Sequence, residues 1–342
     1  MSLLTDSYSR VIDYLRISIT DKCNLRCIYC MPAAGVTPVR HTDILSYEEI
    51  IRVAGTAARL GVRKIRLTGG EPLVRKNLAF LVSSLKRIPG IEDLSLTTNG
   101  QLLERYAEDF AEAGLDRVNV SIDSFSPERY REMTRGGDLG AVLRGLRAAD
   151  KARLHPVKIN MVPVRGINED EILDFARMTI NTEYHVRFIE CMPAGSAGFW
   201  SPGKYMTTDE IKDRIGAVGP LQPVRVRKNG PSKYYRFEGA KGVIGFISAL
   251  THHFCKDCNR LRLTADGKLR PCLFSETEID LRSAIRSGAS DEEIERLLRL
   301  AIEVKPKEHA LHEKGAGHAA FPDHSSPITH HAKKRPMSRI GG

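Results

Sequence analysis

The chain has 342 residues, 42% of them hydrophobic, and sets 52 Lys and Arg against 42 Asp and Glu, for a net charge of +10. That is enough apolar material for a large core, and the lack of any apolar run near the ~20 residues that span a bilayer, or of a charged-then-apolar leader, argues against a membrane or secreted protein. In the cytoplasmic protein this leads us to expect, seven cysteines serve as ligands or buried thiols rather than disulfides, and the positive balance favours an anionic partner without choosing between nucleic acid, a phosphorylated small molecule and simple solubility.

The first β-rich run is "YLRISIT" at 14–20, and it feeds directly into "DKCNLRCIYCMP" with Cys23, Cys27 and Cys30 spaced C-x3-C-x2-C. A helical stretch, "SYEEIIRVAGTAARLG", follows; Ser46 and Glu49 have capping-box spacing and Gly61 suits the stop. "KIRLTGG", "DLSLTTNG", "RVNVSID", "VKINMVPV" and "YHVRFIEC" continue the series, with helix-like segments between them. Six β/α units in a row predict a parallel sheet.

Alternation within the strands decides between two kinds of sheet. Leu15, Ile17 and Ile19 oppose Arg16, Ser18 and Thr20; Ile65 and Leu67 oppose Lys64, Arg66 and Thr68. Val118, Val120 and Ile122 oppose Asn119, Ser121 and Asp123, while Val157, Ile159 and Met161 oppose Lys158 and Asn160. A doubly wound sheet needs apolar residues on both faces. One polar face in strand after strand predicts instead an incomplete six-stranded (β/α) barrel, with helices outside and a wet lumen.

After about residue 205 the pattern changes. "PVRVRKNGPSKYYRFEGAKGVIGFIS" predicts two or three antiparallel strands with Asn-Gly and Gly turns, and "IDLRSAIRSGASDEEIERLLRLAIEVK" predicts two helices. From Lys305 the chain is rich in His, Gly, Pro and Lys. The expected organisation is a β/α domain over 1–205, a smaller α+β region over 206–304, and a flexible tail over 305–342. His309, His312, His318, His324, His330 and His331 could bind a metal there, but their spacing fits a solvated linker better.

Three thiolates on a loop after the first strand can hold three irons of a cubane cluster and leave the fourth open to a small molecule. Structural zinc wants four protein ligands, which only His41 could complete, and a ferredoxin-like carrier normally supplies four cysteines. The second group is Cys255, Cys258 and Cys272 in "FCKDCNRLRLTADGKLRPCLF". Its C-x2-C with His252 and His253 nearby leaves zinc open on spacing alone. Cys191 lies outside both groups and reads as an ordinary strand-end thiol.

The C-x3-C-x2-C loop with Tyr29 before its last cysteine, followed one unit later by "GGEP" at 69–72, resembles the radical S-adenosylmethionine (SAM) superfamily. With "LTTNG", "RVNVSID", "RFIECMPAG", "CNRLRLTADGKLRPCLF" and the terminal "GG", nearly the whole chain outside about 305–336 resembles its GTP 3′,8-cyclase (MoaA) family. The resemblance implies a radical SAM-type barrel and two [4Fe–4S] clusters, the first on Cys23, Cys27 and Cys30 and the second on Cys255, Cys258 and Cys272. It implies SAM contacts at Tyr29, Gly70, Ser121 and Met192, and GTP contacts at Arg16, Arg66, Thr97, Lys158, Arg260, Leu261 and Arg262. Arg16, Gly341 and Gly342 are the implied catalytic residues, although from composition alone the last two read as a frayed terminus.

The implied reaction begins with a 5′-deoxyadenosyl radical taking the 3′ hydrogen of GTP. The C3′ radical attacks guanine C8, giving (8S)-3′,8-cyclo-7,8-dihydroguanosine 5′-triphosphate, the first step of molybdenum-cofactor biosynthesis. The implied partners are GTP, SAM, an electron donor such as flavodoxin or ferredoxin, and a downstream cyclic pyranopterin monophosphate synthase, with neither nucleic acid nor membrane. The resemblance admits a homodimer without deciding the oligomeric state. A lumen carrying Arg16, Lys64, Arg66 and Lys158, joined by Arg187, suits a triphosphate. Internal ion pairs with Asp123 or Glu190 are the alternative, and the roles of Asp123 and Asn160 stay open. Two other readings stand beside this one: a radical SAM peptide-modifying enzyme with an auxiliary cluster, and a basic zinc protein that binds nucleic acid.

Overall fold

The computed structural model describes residues 3–193, 199–226, 230–309, 328–330 and 337–340. The described residues form two compact units. One draws on Met1–Cys23, Thr37–Leu94 and Cys255–Gly342, the other on Asn24–Val36 and Ser95–Phe254.

The elements run in the expected β/α order: β1 (Tyr14–Ser18), α1 (Tyr47–Arg59), β2 (Lys64–Thr68), α2 (Leu78–Lys86), β3 (Asp93–Thr98), α3 (Leu103–Glu112), β4 (Arg117–Ser121), α4 (Pro127–Thr134), α5 (Leu139–Lys151), β5 (Lys158–Met161), α6 (Ile172–Asn181) and β6 (His185–Ile189). After them come α7 (Thr208–Gly216), β7 (Leu221–Val224), β8 (Lys233–Phe237), β9 (Val243–Ile247), β10 (Arg260–Leu263), β11 (Lys268–Arg270), β12 (Thr277–Asp280), α8 (Leu281–Arg286), α9 (Asp291–Glu303), β13 (Ile328–His330) and α10 (Met337–Ile340).

In the first unit the strand order is β13-β12-β11-β10-β1-β2. β10 lies parallel to β1, and β11, β12 and β13 continue antiparallel. The apolar side of β1 and β2 is buried through Leu15, Ile17, Ile65 and Leu67. α1 starts as its sequence predicts: Ser46 Oγ accepts from Glu49 N at 3.2 Å and Glu49 Oε2 accepts from Ser46 N at 2.7 Å. Such a cap stabilises a helix by about 1 kcal/mol. It ends where Gly61 takes φ +100°, a conformation that a side chain resists.

In the second unit the order is β3-β4-β5-β6-β9-β8-β7, with β3 entering at the unit boundary. β3 to β6 are parallel, as expected of β/α units. β7, β8 and β9 form the expected antiparallel meander, and β9 also joins β6 in parallel. Register aligns Thr97, Asn119, Lys158 and His185 in one row, and Ser121, Asn160, Arg187 and Gly245 in the next. Between them Val120, Ile159 and Val186 are fully buried.

Packed chain extends past residue 304, where the sequence places the start of a tail: Lys305 is 3% exposed and His309 packs its ring edge-on against Phe274. Among the described residues no helix is long and apolar enough to cross a membrane.

Candidate active site

The first cysteine loop leaves β1 at Ser18, and its local shape is fixed by backbone bonds. Cys30 N donates to Cys27 O at 2.9 Å and Met31 N to the same oxygen at 3.2 Å, which makes a tight turn between these two cysteines. The end of α4 holds that turn: Arg26 N donates to Thr134 O, Ile28 N to Met133 O, and the Arg135 guanidinium reaches Arg26 O and Met31 O. A hydrogen bond between the Cys27 and Cys30 thiols, together with burial, pushes the Cys27 thiol well above its usual range.

Tyr29 lies between these two cysteines in sequence. Its hydroxyl donates to Asp123 Oδ2 at 2.5 Å, while Asp123 Oδ1 accepts from Val162 N. Burial pushes the Asp123 carboxyl up to about 6, and these two donors limit the rise. Asp123 therefore orients an aromatic ring beside the thiols rather than pairing with a lumen cation. Glu190 is likewise engaged elsewhere, accepting from the backbone N–H groups of Thr208, Leu250 and Thr251.

The "GGEP" turn follows β2 and lies against the stretch leading into Cys23. Gly70 N donates to Thr20 O and Glu71 N to Lys22 O, both at 2.8 Å. A Cβ on Gly70 would lie 2.3 Å from Lys22 O, and one on Gly69 2.4 Å from Thr20 O. Both glycines are thus required by close backbone approach. Ser121 ends β4, and Met192 follows β6 half-buried.

The second cysteine group lies wholly in the first unit, around the start of β10 and the end of β11. Cys258 N donates to Cys255 O at 3.2 Å, and Arg260 Nη2 is 3.8 Å from Cys258 Sγ. Burial alone would raise the Cys258 thiol; the Arg260 guanidinium and Lys305 ammonium outweigh it and hold the thiol at about 6. All seven cysteines are free thiols. Among the described residues no group of three His, Cys, Asp or Glu is already gathered as a metal-binding set. The donor chemistry still fits an iron–sulfur cluster: two separate three-thiol groups, with cations beside the second to stabilise thiolate. Of the histidines that could add a fourth zinc ligand, His41 is exposed and the His252 ring pairs with Asp209.

β10 brings cations that complete an arginine row. Arg66, Arg16 and Arg262 are neighbours in register across β2, β1 and β10, and Arg270 is next on β11. Burial, then repulsion from Arg262 and Arg66, pushes Arg16 well below the usual guanidinium range. Burial and repulsion from Arg260 lower Arg262 to about 10. Arg270 is occupied by Glu278 at 2.5 Å. Lys64, expected among the free lumen cations, instead pairs with Asp13 at 2.9 Å, since Asp13 just before β1 lies beside the start of β2.

In the second unit Lys158 is 2% exposed, donating to the Tyr234 hydroxyl at 3.3 Å. Arg187 reaches Asn119 Oδ1 at 2.8 Å. Thr97 Oγ1 and Asn160 Oδ1 are buried without a hydrogen-bond partner among the described residues, which suits polar groups kept for a ligand. Leu261 is the exception among the residues expected to touch GTP: its side chain is 1% exposed, on the apolar face of β10.

Two family profiles cover most of the chain: Radical SAM superfamily over residues 17–179 and Molybdenum Cofactor Synthesis C over 184–311. A GTP 3′,8-cyclase of Pelotomaculum thermopropionicum is 53% identical over 312 residues, 91% of this chain and 96% of that protein. One from Heliobacterium modesticaldum is 48% identical over 341 residues, 99% of this chain and 100% of its own. This chain belongs to the GTP 3′,8-cyclase family. Its fold is shared with Streptococcus suis SuiB in a crystal structure bound to S-adenosylmethionine, at a TM-score of 0.57 and 13% identity over 88% of this chain and 77% of that one.

Within the GTP 3′,8-cyclase family frame, the two cysteine groups fall one in each matched region. Cys191 belongs to neither; it is buried at the end of β6, its thiol pushed up to about 11 by burial. Gly341 and Gly342 lie outside the described residues. Sequence reasoning missed Lys305, Arg10 and the Tyr29–Asp123 bond. Only the last had a signal, an acidic residue just past β4 that continues its polar side.

Proposed function

We infer that this chain is a radical SAM enzyme that converts GTP to (8S)-3′,8-cyclo-7,8-dihydroguanosine 5′-triphosphate, the first step of molybdenum-cofactor biosynthesis. The observation that carries this reading is near-full-length identity of about half to GTP 3′,8-cyclases. The register row Arg66–Arg16–Arg262 beside the second thiol group gives it a physical basis.

Cys23, Cys27 and Cys30 would hold one [4Fe–4S] cluster and Cys255, Cys258 and Cys272 another. When bound, the first cluster supplies the electron that cleaves SAM and so provides the radical that takes the GTP 3′ hydrogen. The protein's own work is binding, orientation and exclusion of quenchers. Tyr29, held by Asp123, Gly70, Ser121 and Met192 receive SAM. Arg16, Arg66, Thr97, Lys158, Arg260, Leu261 and Arg262 bind GTP, Leu261 through its backbone because its side chain faces the core. Crowded guanidiniums repel one another, and a triphosphate relieves that repulsion with bidentate hydrogen bonds. Gly341 and Gly342 complete the catalytic set with Arg16. The chain works in the cytoplasm with a flavodoxin- or ferredoxin-type electron donor, passes its product to a cyclic pyranopterin monophosphate synthase, and is compatible with a homodimer.

Anaerobic reconstitution tests the reading. It should give roughly eight irons per chain, as two cubanes require, and a GTP-derived cyclised product together with 5′-deoxyadenosine when SAM and a reductant are added. Stoichiometric zinc with about four irons would mean that the second cysteine group has been misread.

The cation row gives a second expectation. Arg66→Ala or Lys158→Ala should each weaken GTP binding by about 1.5–3 kcal/mol, the usual worth of a hydrogen bond to a charged group. Equilibrium binding should show SAM affinity little changed. Wild-type GTP affinity in both variants would remove the phosphate role from the inward cations.

A further inference from the structure

Three buried cations hold the backbone around the later cysteines. Lys305 donates to Arg260 O at 2.9 Å and to Pro271 O at 2.6 Å. Arg260 comes two residues after Cys258, and Pro271 immediately precedes Cys272. A single ammonium thus ties together the two chain segments that carry these cysteines. Arg10, 8% exposed, donates to Cys255 O at 2.7 Å, to Pro306 O at 2.7 Å and to Lys307 O at 2.9 Å, with Asp6 on its other side. Arg270 reaches Leu273 O and Ser275 O, just past Cys272.

Lys305 stands out among these cations. Arg10 and Arg270 each have a carboxylate, Asp6 and Glu278. Among the described residues no carboxylate pairs with Lys305; the Cys258 and Cys272 thiols and the Arg260 and Arg10 guanidiniums act on its charge most strongly. Burying an ammonium without an acidic partner costs several kcal/mol. That cost is offset if the space beside it holds an anionic all-thiolate group.

We propose that Lys305 is a positioning residue for the second cluster. It sets the spacing of Cys258 and Cys272 through their backbones and places a fixed positive charge beside the cluster. The inference rests on the reading that Cys255, Cys258 and Cys272 hold that cluster. It makes the packed start of the C-terminal segment part of the site.

The test uses the full chain with Cys23, Cys27 and Cys30 all changed to alanine, so that every cluster iron belongs to the second group. This background should hold about four irons. In it, Lys305→Met should lower the chelator concentration that strips half the iron by about 10- to 100-fold, the usual cost of losing a group that supports metal ligands. The midpoint potential should also move negative, because removing a nearby cation disfavours the more negative reduced state. Lys305→Arg, which keeps charge and donors, should retain most of the iron and the potential. If Lys305→Met does not fold, Lys305→Gln removes the charge while keeping an N–H donor group, and the same two readings decide. Chelator resistance and potential unchanged in Lys305→Met would overturn the proposal. So would Lys305→Arg as labile as Lys305→Met, since side-chain shape rather than the donors would then be responsible. A background that takes up no iron would instead sink the underlying reading of the cysteines, whatever Lys305 does.

Discussion

Cys27→Ala will abolish SAM cleavage, whereas Cys258→Ala will leave it running and stop cyclisation. The two cysteine groups are separate in sequence and differently supported, so each should fail alone. In the first, Cys27 O closes the turn to Cys30 and Met31, and those bonds survive in alanine; only the thiol is lost. The iron that remains should be the second cluster's, about four per chain. In the second, Cys258 is the thiol that Arg260 and Lys305 hold at about 6, so it is readier to bind iron than Cys255, whose thiol burial raises. Cys258→Ala leaves those cations in place and removes the ligand. Anaerobic assays should find 5′-deoxyadenosine still formed, now uncoupled, and cyclised product below detection. Cyclised product at the wild-type rate from Cys258→Ala would remove the second cysteine group from the reaction.

The asymmetry between the two groups was only partly legible in the sequence. Spacing drew attention to both groups, because metal-binding cysteines must be close and local loops are the simplest way to bring them together, but for the second it left zinc open and the resemblance supplied the cluster. Strand alternation put Arg16, Arg66 and Lys158 each on the polar side of its own strand, because a period of two residues is enforced by the backbone itself. What alternation cannot supply is the neighbour across a sheet. β10 lies beside β1 although the two are separated by some two-thirds of the chain, and that pairing sets Arg262 next to Arg16. Lys64 had the right period and the wrong neighbour, Asp13. The hold of Lys305 and Arg10 on the later cysteines was illegible for another reason: there both reach carbonyl oxygens, which every residue carries, so those partners leave no mark in the sequence. The composition that suggested a tail from 305 was dominated by the residues beyond 309, which masked the buried lysine at its start.

Gly70 shows where sequence and structure supply different halves of one argument. The resemblance assigns it to SAM; the structure adds that no larger residue fits. An alanine Cβ would lie 2.3 Å from Lys22 O, 2.6 Å from Lys22 C and 2.8 Å from Asp21 O, all of them backbone atoms. No rotamer relieves such contacts, so the segment leading to Cys23 or the GGEP turn must move. The move would strain the bonds from Gly70 N to Thr20 O and from Glu71 N to Lys22 O. Overpacking of this kind costs about 1–3 kcal/mol, too little to unfold a protein of ordinary stability but enough to displace a loop. We therefore expect Gly70→Ala to remain folded, to keep about four irons at the second group, and to lose SAM binding and SAM cleavage. Gly216→Ala is the matched control. Nothing lies within 4 Å of its Cβ position at the end of α7, and alanine is the better helix former by roughly 0.5–1 kcal/mol. Iron content, SAM affinity and 5′-deoxyadenosine formation should be unchanged in the control and should separate sharply in Gly70→Ala. Full SAM cleavage by Gly70→Ala would mean that the turn slides freely past the Cys23 loop, and the close approach of the two segments would then carry no part of SAM binding.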